Sequence, residues 1–328
     1  MNRELLCPAC GSHRTGYALP YVTRARDEDA IFNGLTLWSC SDCHIHFANP
    51  CPEPSILSKY YAATYRMDGR NTAEVTGFPA DNLWFLSRGV SVAHLLRSVL
   101  AEKTPQRIRV LDIGAGYGHV LYALRALLES QIEATAVEPD SRCLPTLARV
   151  ADSILDRDMM GELSPGLFHD RFDLMLMLHI IEHIADPYAF LQQAKKFLAP
   201  DGLMMLEVPN CPQARIRWYN QQTPHVPHLI FFTVDGLKSM LRRLGLDLLL
   251  IDAFGPVLDS AGSYDASFAR FPADPKENIE LGIAPPVPYP IFEESGPGRL
   301  FLRAIARLDP KGVDLHAFKA DHDSFSSR

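Results

Sequence analysis

Three groups of residues in this chain have the types and spacing to do chemistry. The run Val110-Leu111-Asp112-Ile113-Gly114-Ala115-Gly116-Tyr117-Gly118 passes from an apolar strand through an acid into a glycine-rich turn, and a helix-forming stretch begins at His119. Glycines suit such a turn because the backbone must bend sharply and approach a ligand closely, where a Cβ would intrude. A second apolar run, Ile132 to Val137, ends in Glu138, which is placed to accept hydrogen bonds from ribose hydroxyls. These two segments point to an adenosine-containing cofactor. The second group is Cys7-x2-Cys10 and Cys40-x2-Cys43, two knuckles that can aim four thiolates at one zinc ion. The third is histidine: His179 and His183 follow the apolar run 172–178, and His225 and His228 lie further on. Any of them can remove a proton from an acceptor held within hydrogen-bond reach.

The choice of cofactor turns on two residues. His119 stands where the dinucleotide fingerprint has its third glycine, and Asp112 would repel a pyrophosphate while favouring an ammonium group. Both disfavour an NAD-dependent oxidoreductase. S-adenosylmethionine carries an amino group and a sulfonium and no phosphate. Here the chain resembles the class I S-adenosylmethionine-dependent methyltransferases, whose first motif reads acid-x-Gly-x-Gly-x-Gly. Val137-Glu138-Pro139-Asp140 is similar to their second motif. Phe172-Asp173-Leu174 through Ile181-Glu182-His183-Ile184-Ala185-Asp186-Pro187 is similar to their fourth strand and its exit, and Leu198 to Leu203 to the turn into the fifth. The resemblance covers about residues 106 to 252 and implies a Rossmann-like α/β fold with a seven-stranded sheet. It implies that Asp112, Gly114, Ala115, Gly116 and Gly118 hold the methionine end, and that Glu138 with Pro139 holds the ribose. Asp156 or Asp158 would accept from the adenine amino group, Met159 would pack on the ring, and Leu178 would line the sheet edge. Tyr61 or Tyr65 either closes over the methionine moiety or packs between domains.

Four thiolates leave a zinc ion no open position, so zinc here would be structural. His44 and His46 then read as surface or packing residues, and Cys51, Cys143 and Cys211 as buried thiols. A four-cysteine module ahead of a class I domain resembles the sugar C-methyltransferases of deoxysugar biosynthesis, in which the module helps form the substrate cleft. That likeness implies a small polar biosynthetic acceptor such as a nucleotide-linked sugar, methylated on carbon or oxygen. It puts His228 in the position of the base, with His225 and His179 as the other candidates; Glu182 and Tyr219 are further possible contributors. The chain departs from that family at Pro227, where a glutamate usually accompanies the base, and has too little length for a further C-terminal α/β domain.

Positioning these groups requires alternating strands and helices. Strands are expected at 108–112, 132–138, 153–155, 172–178, 203–208, 246–251 and 299–306, with helices at 119–129, 141–150, 187–198 and 234–244. Ser55 would cap a helix containing Leu57, Tyr60 and Tyr61, and Asp81 a longer one with Leu83, Leu86, Val90 and Leu96 on one face. The expected organisation is a zinc-binding module at 1–55, a helical linker or cap at 56–105 and a methyltransferase domain at 106–308. An insertion at 254–298 interrupts that domain before its last strand, and 309–328 form a tail.

The 328 residues, 47% hydrophobic and 22% charged, read as a globular protein with more than one part. A net charge of −7 without a long Lys/Arg cluster argues against a nucleic-acid partner, as does the absence of an Asn-Pro-Pro-Tyr-like motif after Leu178. No apolar run reaches the roughly 20 residues of a membrane span, and Met1-Asn2-Arg3-Glu4 leads into cysteines rather than a signal core, so cytoplasmic residence and a small-molecule partner are expected. The competing reading is a non-catalytic cofactor-binding or scaffold subunit of a biosynthetic complex.

Overall fold

The computed structural model describes residues 5–23, 27–64, 83–100, 107–128, 131–157, 168, 171–222, 227–257 and 295–308. The chain opens with an antiparallel sheet of β1 (Thr15–Pro20), β2 (Thr36–Cys40) and β3 (His46–Asn49), followed by α1 (Pro54–Lys59) and α2 (Leu83–Leu100). Alternation then sets in: β4 (Arg107–Ile113), α3 (His119–Leu127), β5 (Gln131–Val137), α4 (Leu144–Leu147), β6 (Ser153–Leu155), β7 (Phe172–Leu178), α5 (Pro187–Ala194), β8 (Leu198–Pro209). The remaining elements are α6 (Ile216–Gln222), β9 (Ile230–Phe231), α7 (Val234–Arg243), β10 (Leu246–Val257) and β11 (Arg299–Leu308).

The larger sheet has seven strands in the order β10-β11-β8-β7-β4-β5-β6. Strands β4 to β8 are parallel, and β11 is inserted antiparallel between β8 and β10. The strand order reverses direction at β4, between β5 and β7, which is where an open α/β sheet offers a crevice for a ligand. The β7 run Leu174-Met175-Leu176-Met177 is apolar throughout because both its faces are covered. Leu174 and Leu176 pack into one core with α2 and α3. Met175 and Met177 pack into the other, with α5, α7 and the cysteine module. Each such buried side chain is worth about 1.5–3 kcal/mol.

The module therefore shares a core with the large sheet, and the chain ties it down elsewhere as well. Strand β9 adds to the small sheet by pairing Ile230 and Phe231 with Phe47 and His46. Gly236 on α7 sits so close to Ile45 that an added Cβ would stand 2.1 Å from Ile45 Cγ2. The Thr233 hydroxyl caps α7, accepting from Gly236 N at 3.0 Å and donating to the Cys43 carbonyl at 2.7 Å. Strand β9 has no counterpart in the expected elements, because Leu229-Ile230-Phe231-Phe232 is buried on both sides and lacks alternation.

Several expected boundaries are corrected. Helix α1 starts at Pro54 with Glu53 as its cap residue, so Ser55 lies inside it, and a π-helical turn, Tyr60–Thr64, continues it. The helix expected at 141–150 is the single turn α4, flanked by turns. Leu198 opens β8 rather than ending a helix. Strand β10 extends to Val257, so the interruption between the last two strands is shorter than 254–298. Cys51 is exposed, while Cys143 and Cys211 are buried. The segments 258–294 and 309–328 lie outside the described residues. Among the described residues, no helix is long and apolar enough to cross a membrane.

Candidate active site

The glycine-rich turn leaves the end of β4 with three left-handed residues, Gly114 (φ 73°), Gly116 (φ 55°) and Gly118 (φ 82°). At Gly114 an added Cβ would come within 2.0 Å of Ile180 Cδ1, so the turn demands glycine for space as well as for φ. Gly118 is the cap residue of α3, and its Cβ would meet Val150 Cγ2 at 2.5 Å. Glu138, buried at the end of β5, fastens the turn. One of its oxygens accepts from Gly116 N at 2.8 Å and the other from Asp140 N at 3.0 Å. A carboxylate has capacity for about two further hydrogen bonds.

Asp112 is 3% exposed. Burial, helped by the charge of Glu138 and opposed by Arg88, pushes its pKa up to about 7. An arriving ammonium group would add a positive charge that favours the ionised carboxylate. The glycine cradle and the buried acid therefore fit the methionine end of S-adenosylmethionine. Asp112, Gly114, Ala115, Gly116, Glu138, Pro139, Leu178, His179, His183 and His228 line one cleft together with Tyr61, Phe85, Arg88, His119 and Arg157.

A polar group gathers beyond Leu178. His179 takes a left-handed φ of 59°, and its ring lies between two fully buried carboxylates. Nδ1 stands 3.1 Å from Glu182 Oε1, and Nε2 stands 3.3 Å from Glu207 Oε1. Burial and Arg88 push its pKa down, but the two carboxylates outweigh them and leave it raised. Glu207 also receives Arg303 Nε at 2.6 Å and lies 3.3 Å from Arg88 Nε. Burial opposes its ionisation, yet Arg303 and Arg88 hold it well below the usual carboxylate range. Next to this group the Tyr61 hydroxyl lies 2.8 Å from His183 Nδ1 and donates to the Pro227 carbonyl at 3.0 Å. The rings of His183 and His228 are 4.8 Å apart. Burial lowers the pKa of both, and with the charge of His183 it pushes His228 down to about 3.

The structure thus brings together most of the residues expected from the sequence. Asp156 is exposed just past β6, and its neighbour Arg157 lines the cleft instead. Tyr65, Met159, Asp158 and His225 lie outside the described residues. Tyr219 is buried and is absent from the cleft lining. Arg88, Glu207 and Arg303 were not anticipated. Glu207 follows the apolar run Leu203–Leu206 and Arg303 sits between Leu302 and Ala304, so each places a charge among buried apolar neighbours; their pairing needs the strand order.

In the amino-terminal module, Cys7 Sγ lies 3.6 Å from Cys43 Sγ and Cys10 Sγ lies 3.5 Å from Cys40 Sγ. A tetrahedron of sulfurs at about 2.3 Å from zinc has edges of about 3.8 Å, and all four sulfurs lie within 4.8 Å of one another. The four thiols are buried and unbridged, and they fit a closed tetrahedral site.

Residues 88–251, half of the chain, match the family model of a methyltransferase domain. A ubiquinone biosynthesis O-methyltransferase of Cereibacter sphaeroides is 28% identical over 160 residues, which are 46% of this chain and 65% of that protein. A ubiquinone biosynthesis O-methyltransferase of Dinoroseobacter shibae is 30% identical over 184 residues, 49% of this chain and 72% of that protein. The chain thus spans about two thirds of the length of the curated relatives it matches. A solved structure from Thermotoga maritima, a possible histamine N-methyltransferase, is 18% identical with a TM-score of 0.44, covering 69% of this chain and 93% of that one. With the acid-glycine turn, the strand order and the family model in agreement, the chain belongs to the class I S-adenosylmethionine-dependent methyltransferase domain family.

Proposed function

We propose that the protein transfers a methyl group from S-adenosylmethionine to a hydroxyl oxygen of a small acceptor. The observation that carries this reading is a single cleft lined both by Asp112 and the glycine turn and by His183 and His228. Bound S-adenosylmethionine supplies an electrophilic methyl group on a sulfonium. Asp112 takes its ammonium, the glycine turn approaches its methionine backbone, and Glu138 accepts from its ribose. Fixing donor and acceptor in line removes much of the barrier to displacement at carbon. The paired charges of His179, Arg88 and Arg303 keep Glu182 and Glu207 ionised in a buried wall. An oxygen acceptor is supported by the O-methyltransferase relatives.

A nucleotide-linked sugar, methylated on carbon or oxygen, is the second reading. It is favoured by the way the four-cysteine module reaches the cleft: the Tyr21 hydroxyl donates to the His228 carbonyl at 3.0 Å. In either case we assign Cys7, Cys10, Cys40 and Cys43 to a structural zinc ion. The test is to incubate the purified protein with methyl-labelled S-adenosylmethionine and parallel sets of phenolic, polyhydroxylated and nucleotide-sugar acceptors, with products identified by mass spectrometry. O-methylated product from the first two sets supports the first reading, and product from nucleotide sugars alone supports the second. S-adenosylhomocysteine binding with no product from any set would favour a scaffold subunit.

A further inference from the structure

Three histidines surround one buried carboxylate. Glu182 lies in the short turn after β7 and is 0% exposed. His179 Nδ1 stands 3.1 Å from its Oε1. The rings of His183 and His228, 4.8 Å apart, are near enough for their charge to act on it. A backbone bond from Leu229 N to the Glu182 carbonyl at 2.9 Å holds the segment carrying His228 against this turn. Like charges disfavour one another strongly in a buried site, so one carboxylate does not support three imidazolium ions. The geometry decides which ring holds the proton.

His179 is flanked on both sides. Its Nε2 stands 3.3 Å from Glu207 Oε1, and its backbone N–H donates to the Glu207 carbonyl at 2.8 Å. A ring with a carboxylate against each nitrogen needs a hydrogen on both, and only the imidazolium has two. In the neutral form one lone pair would face a buried negative charge. The φ of 59° lies in a left-handed region that histidine enters more readily than most residues. Charged and titratable groups face the ring from several elements. Glu182 and His183 belong to its own turn, Glu207 to β8, Arg303 to β11, Arg88 to α2 and His228 to the segment before β9. Asp112 on β4 lines the same cleft. Burial and Arg88 oppose the proton, and the two carboxylates outweigh them. His183 needs no such charge. The Tyr61 hydroxyl donates to the Pro227 carbonyl, so it accepts from His183 Nδ1–H at 2.8 Å, and one hydrogen on the ring satisfies that bond. Burial first, with the charge of His179 among the smaller causes, presses His183 and His228 towards the neutral form.

We propose that His179 carries the single extra proton of this cluster as a built-in cation between Glu182 and Glu207, and thereby keeps His183 and His228 uncharged on the cleft wall. His179 is then a positioning residue, since neither of its nitrogens is available as a base. The inference deepens the O-methylation reading and rests on it for its use. Uncharged rings do not repel a sulfonium, and a neutral imidazole can take the proton of a hydroxyl acceptor within reach. That proton passes to a ring nitrogen and an oxygen lone pair forms the O–CH3 bond. The pair of the breaking S–CH3 bond stays on sulfur as S-adenosylhomocysteine departs.

The test is a pH titration of the full-length protein labelled with 15N in its histidine rings, followed by NMR with no acceptor present. Parent, His179→Asn and Glu182→Gln are compared, asparagine being chosen because it tolerates a left-handed φ. S-adenosylhomocysteine binding reports which variants are folded. In the parent, His179 should titrate at higher pH than a blocked histidine peptide measured alongside, and His183 and His228 at lower pH. In His179→Asn, His183 or His228 should titrate about one pH unit or more above its position in the parent. In Glu182→Gln, His179 should titrate lower than in the parent. A parent His179 that titrates at or below the peptide would overturn the proposal whether or not either variant folds. Parent-like titration of both His183 and His228 in folded His179→Asn would overturn it too, and is what a merely packed ring would give. Because no acceptor is present, failure here is separate from failure of the O-methylation reading, which only product analysis decides.

Discussion

Arg303 on the reversed strand β11 donates Nε to Glu207 on β8 across 2.6 Å, and both side chains are almost completely shielded from water. The second arm of Arg303 donates to Ser91 Oγ on α2 at 2.8 Å, so one guanidinium joins the sheet to a helix of the cleft wall. Removing one partner of such a pair strands a buried charge, which costs about 3–5 kcal/mol, whereas removing both can be close to neutral. Arg303→Met should therefore lower the unfolding free energy by about that amount in denaturant titration. The double variant Arg303→Met, Glu207→Gln should recover a large part of the loss. A single variant within 1 kcal/mol of the parent would show that the pair carries no such role.

Asp112 predicts a pH dependence. Its folded pKa is raised from 3.8 to about 7, and only its ionised form pairs with an ammonium ion. The affinity for S-adenosylhomocysteine should be flat above about pH 8 and weaken roughly tenfold between pH 8 and pH 6. Binding below pH 7 should release a proton, seen as a buffer-dependent heat in calorimetry. For the ligand-free protein the sign is opposite. The folded state binds this proton more tightly than the unfolded state does, so this group's contribution to stability is full below about pH 4 and is lost as pH rises towards 7. Affinity that is level from pH 6 to 8 would contradict the assignment.

The Tyr61 hydroxyl links the segment after the cysteine module to both His183 and the Pro227 carbonyl. Tyr61→Phe keeps the buried ring and removes those bonds, and should cost about 1–2 kcal/mol in thermal or chemical unfolding. Cofactor affinity, measured on the same sample, should stay within about twofold, since the hydroxyl touches the histidine side of the cleft.

Extraction of the proposed zinc should destabilise more than the amino-terminal module. Its core is continuous with one face of the large sheet, and the Thr233 hydroxyl bonds the Cys43 carbonyl while capping α7. Chelation, or Cys43→Ser, should lower the melting temperature of the whole chain in a single transition. Elemental analysis should find one zinc ion per chain in the parent. A melting curve unchanged after complete zinc removal would show that the module folds without it.

Much of the large sheet could be read from local pattern. Apolar runs ended by Asp112, Glu138 and His179 announced β4, β5 and β7, and the glycines after Asp112 announced the turn, because each of these is decided by neighbours in sequence. What escaped depends on contacts between distant segments. Strand β9 exists because His46 and Phe47 offer it an edge. His183 and His228 meet only because the turn after β7 packs against the segment before β9, a contact that nothing local to either histidine reports. Helix α4 is short because only Leu144–Leu147 keep helical pairing between flanking turns, a matter of tertiary fit that periodicity does not report. Arg303 is one of three arginines in β11, and nothing local to it names Glu207 as its partner.

Cofactor binding stands or falls with Asp112 and its glycine turn. Calorimetric titration of the parent protein and of Asp112→Ala with S-adenosylhomocysteine, with NAD as control, tests it most directly. The parent should bind S-adenosylhomocysteine saturably and NAD not at all, with a loss of at least about tenfold in the variant, as expected for a hydrogen bond between charged groups. Equal affinity in parent and variant, or binding of NAD alone, would contradict it.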